Sequence, residues 1–139
     1  MTAHNAAARN IPPIHTDDDI LERFSDLIGP ASTEQVWFSF LDEDAVQLPV
    51  LLPIPDLPAH MPKMESDQFA RAMTRIAINA GADSVIIVSE RRGDSSLSSA
   101  ERSKLGTLRS AMERHDVTTR AMLVSHDTGV RLIDAAELE

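Results

Sequence analysis

Two short apolar segments of the sequence end in polar residues of the kinds that enzymes use for acid–base and nucleophilic chemistry. The first segment runs into Ser89 and Glu90, and the second runs into Ser125, His126 and Asp127. A capped helix is predicted between the segments, so we expect them to be parallel strands whose carboxyl ends meet at one edge of a sheet. Open α/β sheets bind ligands at that edge. One hypothesis is therefore a small hydrolase or transferase whose catalytic candidates are Ser89, Glu90, His126 and Asp127.

The loop that follows Glu90 contains groups that bind anions. Arg91 and Arg92 offer guanidinium groups, which recognise phosphates and carboxylates, and Asp94 follows them closely. These three residues are the candidates for ligand binding. Two arginines in a polar segment are also typical of a solvated loop, and the sequence leaves both interpretations open.

His126 has a structural interpretation beside the catalytic one. A polar run from His126 and Asp127 to Gly129 is typical of a hairpin turn. The catalytic hypothesis requires the imidazole of His126 to lie within hydrogen-bond distance of Ser89 or Glu90. The turn interpretation requires only that the ring point outward.

We expect no metal and no cofactor. The chain has no cysteine, and its five histidines stand far apart, without the i, i+4 spacing of a helical zinc site. The glycine-rich phosphate-binding motifs and the G-x-S-x-G motif are also missing from the sequence.

The charge of the chain argues against nucleic acid as a partner. The formal net charge is −9, whereas phosphate-backbone binding needs clustered Lys and Arg. The whole excess lies in residues 1–67, where it favours a solvated helix start and turn; an acidic face for a basic partner is the alternative. The longest apolar run, 48–57, contains three prolines and cannot be a spanning helix. We expect a cytoplasmic protein that does not bind membranes.

Periodicity predicts one α/β domain over 16–134, with a flexible N-terminal arm over 1–15 and a tail over 135–139. The expected fold is a single-layer mixed β-sheet flanked by helices, in the order α-β-β-α-β-α-β-β. Helices are predicted to begin after Thr16, at Ser66 and after Ser98, where Glu101 completes a capping box. The predicted strands are 36–41, 46–54, 84–89, 120–125 and 130–133.

The predicted inner faces follow from helical spacing, and the prolines place one strand at an edge. Pro49 and Pro53 cannot donate to a ladder, so the second strand is expected at the edge of the sheet. The side chains predicted to face the core are Ile20, Phe24, Leu27 and Ile28 in the first helix, Phe69, Ala72, Met73, Ile76, Ala77 and Ala80 in the second, and Leu105, Leu108 and Met112 in the third.

The order of segments resembles the RadC-like branch of the JAB (MPN) family. The likeness covers about residues 35–133 and includes the "SVIIVSERRGDSSLSSAE" segment, its capped helix and the closing hairpin. In that family two histidines and an aspartate hold a metal; the resemblance places them at Ser89, Arg91 and near Glu101. Serine and arginine cannot replace two imidazoles, so the resemblance implies a JAB-like scaffold without its metal. Residues 37–58 are also similar to a "WFxxLDxDxxQLPxLxPIxxLP" segment of small uncharacterised actinobacterial proteins.

Two functional hypotheses follow. The first is a non-catalytic protein-binding or scaffold domain on a degenerate JAB-like fold, whose partner is another protein or a second copy that covers the 48–57 edge. The second is the hydrolase or transferase described above, acting on a small anionic substrate.

Overall fold

The computed structural model describes residues 12–58 and 60–138, which form three helices and five strands. Most of the predicted arm, 1–15, lies outside the described residues. The elements in chain order are α1 (Asp17–Leu27), β1 (Gln35–Leu41), β2 (Gln47–Pro55), α2 (Lys63–Ala80), β3 (Ser84–Glu90), α3 (Ser99–Arg114), β4 (Thr118–His126) and β5 (Gly129–Leu132), followed by a short 3-10 helix (Ala135–Leu138).

The five strands form one mixed sheet in the order β2-β1-β3-β4-β5. β3 and β4 are parallel because α3 crosses over between them, and the other neighbouring pairs are antiparallel. The predicted α/β class with a mixed sheet is confirmed. The predicted edge position of β2 is also confirmed, and its prolines Pro49, Pro53 and Pro55 are exposed.

Side chains on the two faces of the sheet form two separate cores. On one face Phe38, Ile87 and Val124 pack with the inner residues of α2 and α3. On the other face Ile86, Val88 and Leu123 pack with Ile20 and Phe24 of α1. β3 supplies both cores because it is the central strand, which explains its continuous apolar sequence.

Both predicted helix caps are present. The Thr16 hydroxyl accepts from Asp19 N at 3.0 Å, and the Asp19 carboxylate accepts from Thr16 N at 3.2 Å. Ser98 and Glu101 form the same reciprocal pair at the start of α3. Each pair satisfies backbone groups that the first helical turn leaves without partners.

The second helix differs from the prediction in its start and its inner face. It begins at Lys63 rather than Ser66, since Pro62 has the extended backbone of a residue that precedes a helix. Ser66 lies buried in the first turn, where its hydroxyl donates to Lys63 O at 2.9 Å. The buried residues, Ser66, Ala70, Met73 and Ala77, define a face that leaves Ala72 exposed.

Leu27 differs from expectation, and specific contacts involve residues of the predicted arm and tail. Leu27, predicted to face inward, is the last residue of α1 and is 47% exposed. Ile14 belongs to the predicted flexible arm, yet it is buried, and its N–H donates to Ala45 O at 2.8 Å. In the predicted tail, Glu137 accepts two hydrogen bonds from the Arg131 guanidinium, at 2.9 and 3.0 Å.

Among the described residues, no helix combines the length and the apolar character that crossing a bilayer requires.

Candidate functional site

The ends of β3 and β4 meet at one edge of the sheet, as the parallel arrangement predicts. Glu90 lies opposite Ser125 in register, and Arg91 N donates to Ser125 O at 3.1 Å. The loop after β3 and the turn after β4 are joined by a reciprocal pair. Asp127 N donates to Gly93 O at 2.9 Å, and Gly93 N donates to the Asp127 carboxylate at 3.0 Å. The two polar strand ends therefore form one rim, defined by residues 89–94 and 125–127, and hydrogen bonds join its two halves.

Strand alternation places Ser89 and Glu90 on opposite faces of the sheet. Ser89 continues the row of Val85 and Ile87 toward α2 and α3, whereas Glu90 continues the row of Ile86 and Val88 toward α1. Both residues are only 3% exposed. Because the sheet separates their side chains, Ser89 and Glu90 do not form a nucleophile–base pair.

The Glu90 carboxylate accepts five hydrogen bonds from neutral donors. One oxygen accepts from Ser32 N at 2.8 Å, from Thr33 N at 3.2 Å and from the Ser32 hydroxyl at 3.2 Å. The other oxygen accepts from Gln35 Nε2 at 3.0 Å and from Trp37 Nε1 at 2.9 Å. Glu90 thereby fastens the loop between α1 and β1 to the central strand of the sheet.

These donors set the protonation state of Glu90. Burial by itself raises the pKa of a carboxyl group, but the hydrogen bonds from Ser32, Gln35, Trp37 and Thr33 outweigh it and lower the pKa of Glu90 to about 2. A general base works best with a pKa near the operating pH. Glu90 is therefore a weak base whose lone pairs are already engaged.

Sequence patterns do not reveal the donors of Glu90. Ser32 and Thr33 stand 58 and 57 residues away along the chain, in a loop without regular structure. A lone glutamate that ends a buried strand is the one available signal, because a buried charge must find partners.

His126 makes its side-chain contacts within its own turn. Its Nδ1 lies 3.4 Å from both Thr128 N and the Thr128 hydroxyl, and its carbonyl accepts from Ala31 N at 2.8 Å. The neighbouring Ser125 hydroxyl donates to Gly29 O at 2.6 Å. Within the described part of the chain, the His126 ring forms no hydrogen bond with Ser89 or Glu90, which is the contact that the catalytic hypothesis requires.

Arg91 binds the loop that follows β3 rather than facing solvent. Its guanidinium pairs with the Glu101 carboxylate and donates to the carbonyls of Asp94 and Ser96. Burial raises the pKa of Glu101, but the hydrogen bond from Arg91 and then that from Ser98 N lower it below the ordinary value. Arg91 thus connects the end of β3, the loop and the first turn of α3.

The other two ligand-binding candidates occupy different surroundings. Asp94 is exposed, and its carboxylate accepts from Ser96 N at 2.9 Å in a local turn. Arg92 is exposed, and no described carboxylate lies within ion-pair distance of it. Of the three, Arg92 alone is exposed and forms no side-chain hydrogen bond with the described residues.

A cleft of about 280 Å³ lies beside this loop, between the start of β1, the end of β3 and the first turns of α3. Its lining includes Ser89, Arg91 and Glu101. Glu101 follows Arg91 by ten residues in the sequence, and the fold brings the two side chains together. The walls also include Lys104, Leu57 and two further acidic residues, Glu34 and Asp56. The lining therefore carries a hydroxyl group, an internal ion pair, an ammonium group and further carboxylates.

The residues in this cleft do not fit a metal ion of the kind that two histidines and an aspartate hold in the JAB family. A guanidinium has no free lone pair at neutral pH, and the Arg91 guanidinium already pairs with the Glu101 carboxylate. Over residues 12–58 and 60–138, no three side chains of His, Asp or Glu converge on a point that could hold a metal.

Comparisons with known proteins add no family to this description. The sequence matches no protein-family model, and no curated protein sequence matches it. What the chain does is therefore inferred from the contacts of its own residues.

Proposed function

We propose that this chain is a non-catalytic protein-binding or scaffold domain, built on a JAB-like fold of the RadC-like branch that has lost its metal site. The observation that carries the proposal is that the polar groups of the rim form hydrogen bonds and ion pairs within the chain. Glu90 accepts five hydrogen bonds, Arg91 pairs with Glu101, and Asp127 binds Gly93. A catalytic rim needs groups that are free to exchange protons with a substrate.

The JAB-like part of the proposal is supported by the cleft. Ser89 lies near the end of β3, Arg91 directly follows the strand, and both line the cleft that Glu101 reaches from α3. These are the positions to which the resemblance assigns metal ligands. The Arg91 guanidinium supplies a fixed positive charge beside Glu101, where a metal-bearing relative would carry a cation.

The alternative function, a hydrolase or transferase acting through Ser89, Glu90, His126 and Asp127, has less support. Glu90 and Ser89 face opposite sides of the sheet, and the His126 ring contacts Thr128. We therefore retain the binding or scaffold function as the conclusion.

A gain of metal binding tests the proposal. The double variant Ser89→His, Arg91→His places two imidazoles beside Glu101 and removes the guanidinium. We expect native mass spectrometry to show one zinc ion on the folded double variant and none on the wild-type protein. The matched control is Arg92→His, Ser96→His, which adds two imidazoles to the same loop outside the cleft and is expected to bind no zinc.

Each outcome has a distinct meaning. Zinc bound at unit stoichiometry by the wild-type protein would overturn the metal-free assignment. A double variant that keeps its far-ultraviolet circular dichroism yet binds no zinc, or binds no more than the control, would overturn the JAB-like assignment. Circular dichroism is measured on both variants because Arg91 also stabilises the loop.

A further inference from the structure

We propose that copies of this chain associate head to tail, with the outer face of α2 on one copy against the outer face of α1 on the next. The inference rests on the proposed scaffold function and names its partner as a second copy. It follows from two helix faces of opposite charge, on opposite sides of the sheet, whose charges have no ion-pair partner in the described part of the chain.

The outer face of α2 is basic in its centre and apolar at its ends. Met64 and Ile78 are 73% and 70% exposed, more than any other large apolar side chain of the described residues. Arg71 and Arg75 lie between them on the same helical face, both exposed. Among residues 12–58 and 60–138, no carboxylate lies within ion-pair distance of either arginine, although the chain carries 22 acidic residues.

The outer face of α1 has the opposite charge. Asp18, Glu22 and Asp26 follow one another at four-residue spacing, and all three are exposed. Within the described ranges none of them forms an ion pair. Asp17 and Asp19, by contrast, are used by Arg120 and by the helix cap.

The dimensions of the α2 face suit a crossing helix. Met64 and Ile78 are fourteen residues apart, which is about 21 Å along a helix axis. A helix is about 10 to 12 Å wide with its side chains, so α1 of a second copy can lie across Arg71 and Arg75 between the two apolar side chains. This arrangement gives both arginines a carboxylate and leaves Met64 and Ile78 on either side of the crossing helix.

The layers of the fold decide which copies meet. α1 and α2 cover opposite faces of the sheet, so the two charged faces cannot meet within one molecule. Two α2 faces repel each other, as do two α1 faces, so the favourable contact joins unlike faces of different copies. Such a contact is head to tail and propagates unless it closes into a ring. The net charge of −9 opposes association only weakly, because the Debye length at physiological salt is about 8 Å.

The edge of β2 is less suited to join two copies by strand pairing. Pro49, Pro53 and Pro55 are exposed along this strand and lack the N–H groups that a further strand would need. Prolines on an edge strand hinder this kind of pairing between molecules. We therefore place the contact on the helices.

A charge-swap experiment tests this interface on the full-length protein. Sedimentation velocity over a range of concentrations is expected to show self-association of the wild-type chain. Two double variants each place like charges on the two faces. One is Arg71→Glu, Arg75→Glu, and the other is Glu22→Lys, Asp26→Lys. Each alone is expected to associate at least about tenfold more weakly. An equimolar mixture of the two variants is expected to recover association, because opposite charges then face each other again.

The control changes net charge by the same amount elsewhere. Arg92→Glu, Lys104→Glu matches the α2 variant in charge and is expected to associate as the wild-type chain does. A wild-type protein that sediments as a monomer at all concentrations would overturn the interface, as would a mixture that shows no recovery. Neither result bears on zinc binding by the Ser89, Arg91 double variant, so failure of the interface and failure of the proposed function remain distinguishable.

Discussion

The five hydrogen bonds to Glu90 predict a large and pH-dependent loss of stability on replacing it with glutamine. Glu90→Gln keeps the shape but replaces one acceptor oxygen by an NH2 group, which then faces donors such as Trp37 Nε1 or Ser32 N. The carboxylate of the wild-type protein is 3% exposed, so water cannot easily replace the lost acceptor. We expect the variant to fold and to be markedly less stable at neutral pH.

The magnitude follows from the pKa of Glu90. A fall from 4.5 to about 2 on folding corresponds to about 3 kcal/mol of stability at neutral pH. Ser32 and Thr33 are exposed and admit some solvent screening, so we expect about 2 to 3 kcal/mol. The folded-state pKa is the lower one, so this contribution is complete above pH 4.5 and is lost as the pH falls from 4.5 toward 2. Between pH 7 and pH 3 the difference between wild type and variant should narrow by about 2 kcal/mol.

Urea unfolding followed by tryptophan fluorescence measures this effect. Trp37 is the single tryptophan of the chain and donates to Glu90, so its emission reports on the site directly. Glu34→Gln is the control: it removes the same charge from an exposed neighbouring position and should change the free energy of unfolding by less than about 0.5 kcal/mol. Equal losses in the two variants, or a loss for Glu90→Gln that is the same at pH 3 and pH 7, would refute the account of Glu90 as an ionised anchor.

Two further substitutions test other polar groups of the fold. Thr119 Oγ1 is the one buried side-chain polar atom of the described residues without a hydrogen-bond partner. In the same urea titration, Thr119→Val should therefore raise the free energy of unfolding by about 1 kcal/mol. Thr118→Val, at an exposed position, should change the free energy of unfolding little. Arg91→Ala should lower it by about 2 kcal/mol and speed amide hydrogen exchange in residues 92–97, because the ion pair and the carbonyl contacts of the loop are lost. Arg92→Ala is the matched control, and an effect as large as that of Arg91→Ala would contradict the assignment of Arg91 as the fastener of this loop.

Local patterns predicted the elements of this fold because their causes are local. The Thr16 and Ser98 caps depend on side chains three residues away, and both form as expected. The parallel pairing of β3 and β4 follows from the helix between them, because parallel neighbouring strands need a crossover connection and cannot be joined by a short hairpin. Where the prediction for α2 was wrong, at Ser66 and Ala72, the position of the helix relative to the sheet overrode the apolar spacing.

The sequence by itself determined the element order, the caps, the edge position of β2 and the meeting of two polar strand ends at one rim. Only the tertiary structure decided what those polar residues do. Ser89 and Glu90 are neighbours in sequence, but the alternation of a strand buried on both sides directs them into different layers. Glu90 then meets donors from Ser32 to Trp37, more than fifty residues away, since a buried charge is stable only where the folded chain supplies hydrogen bonds.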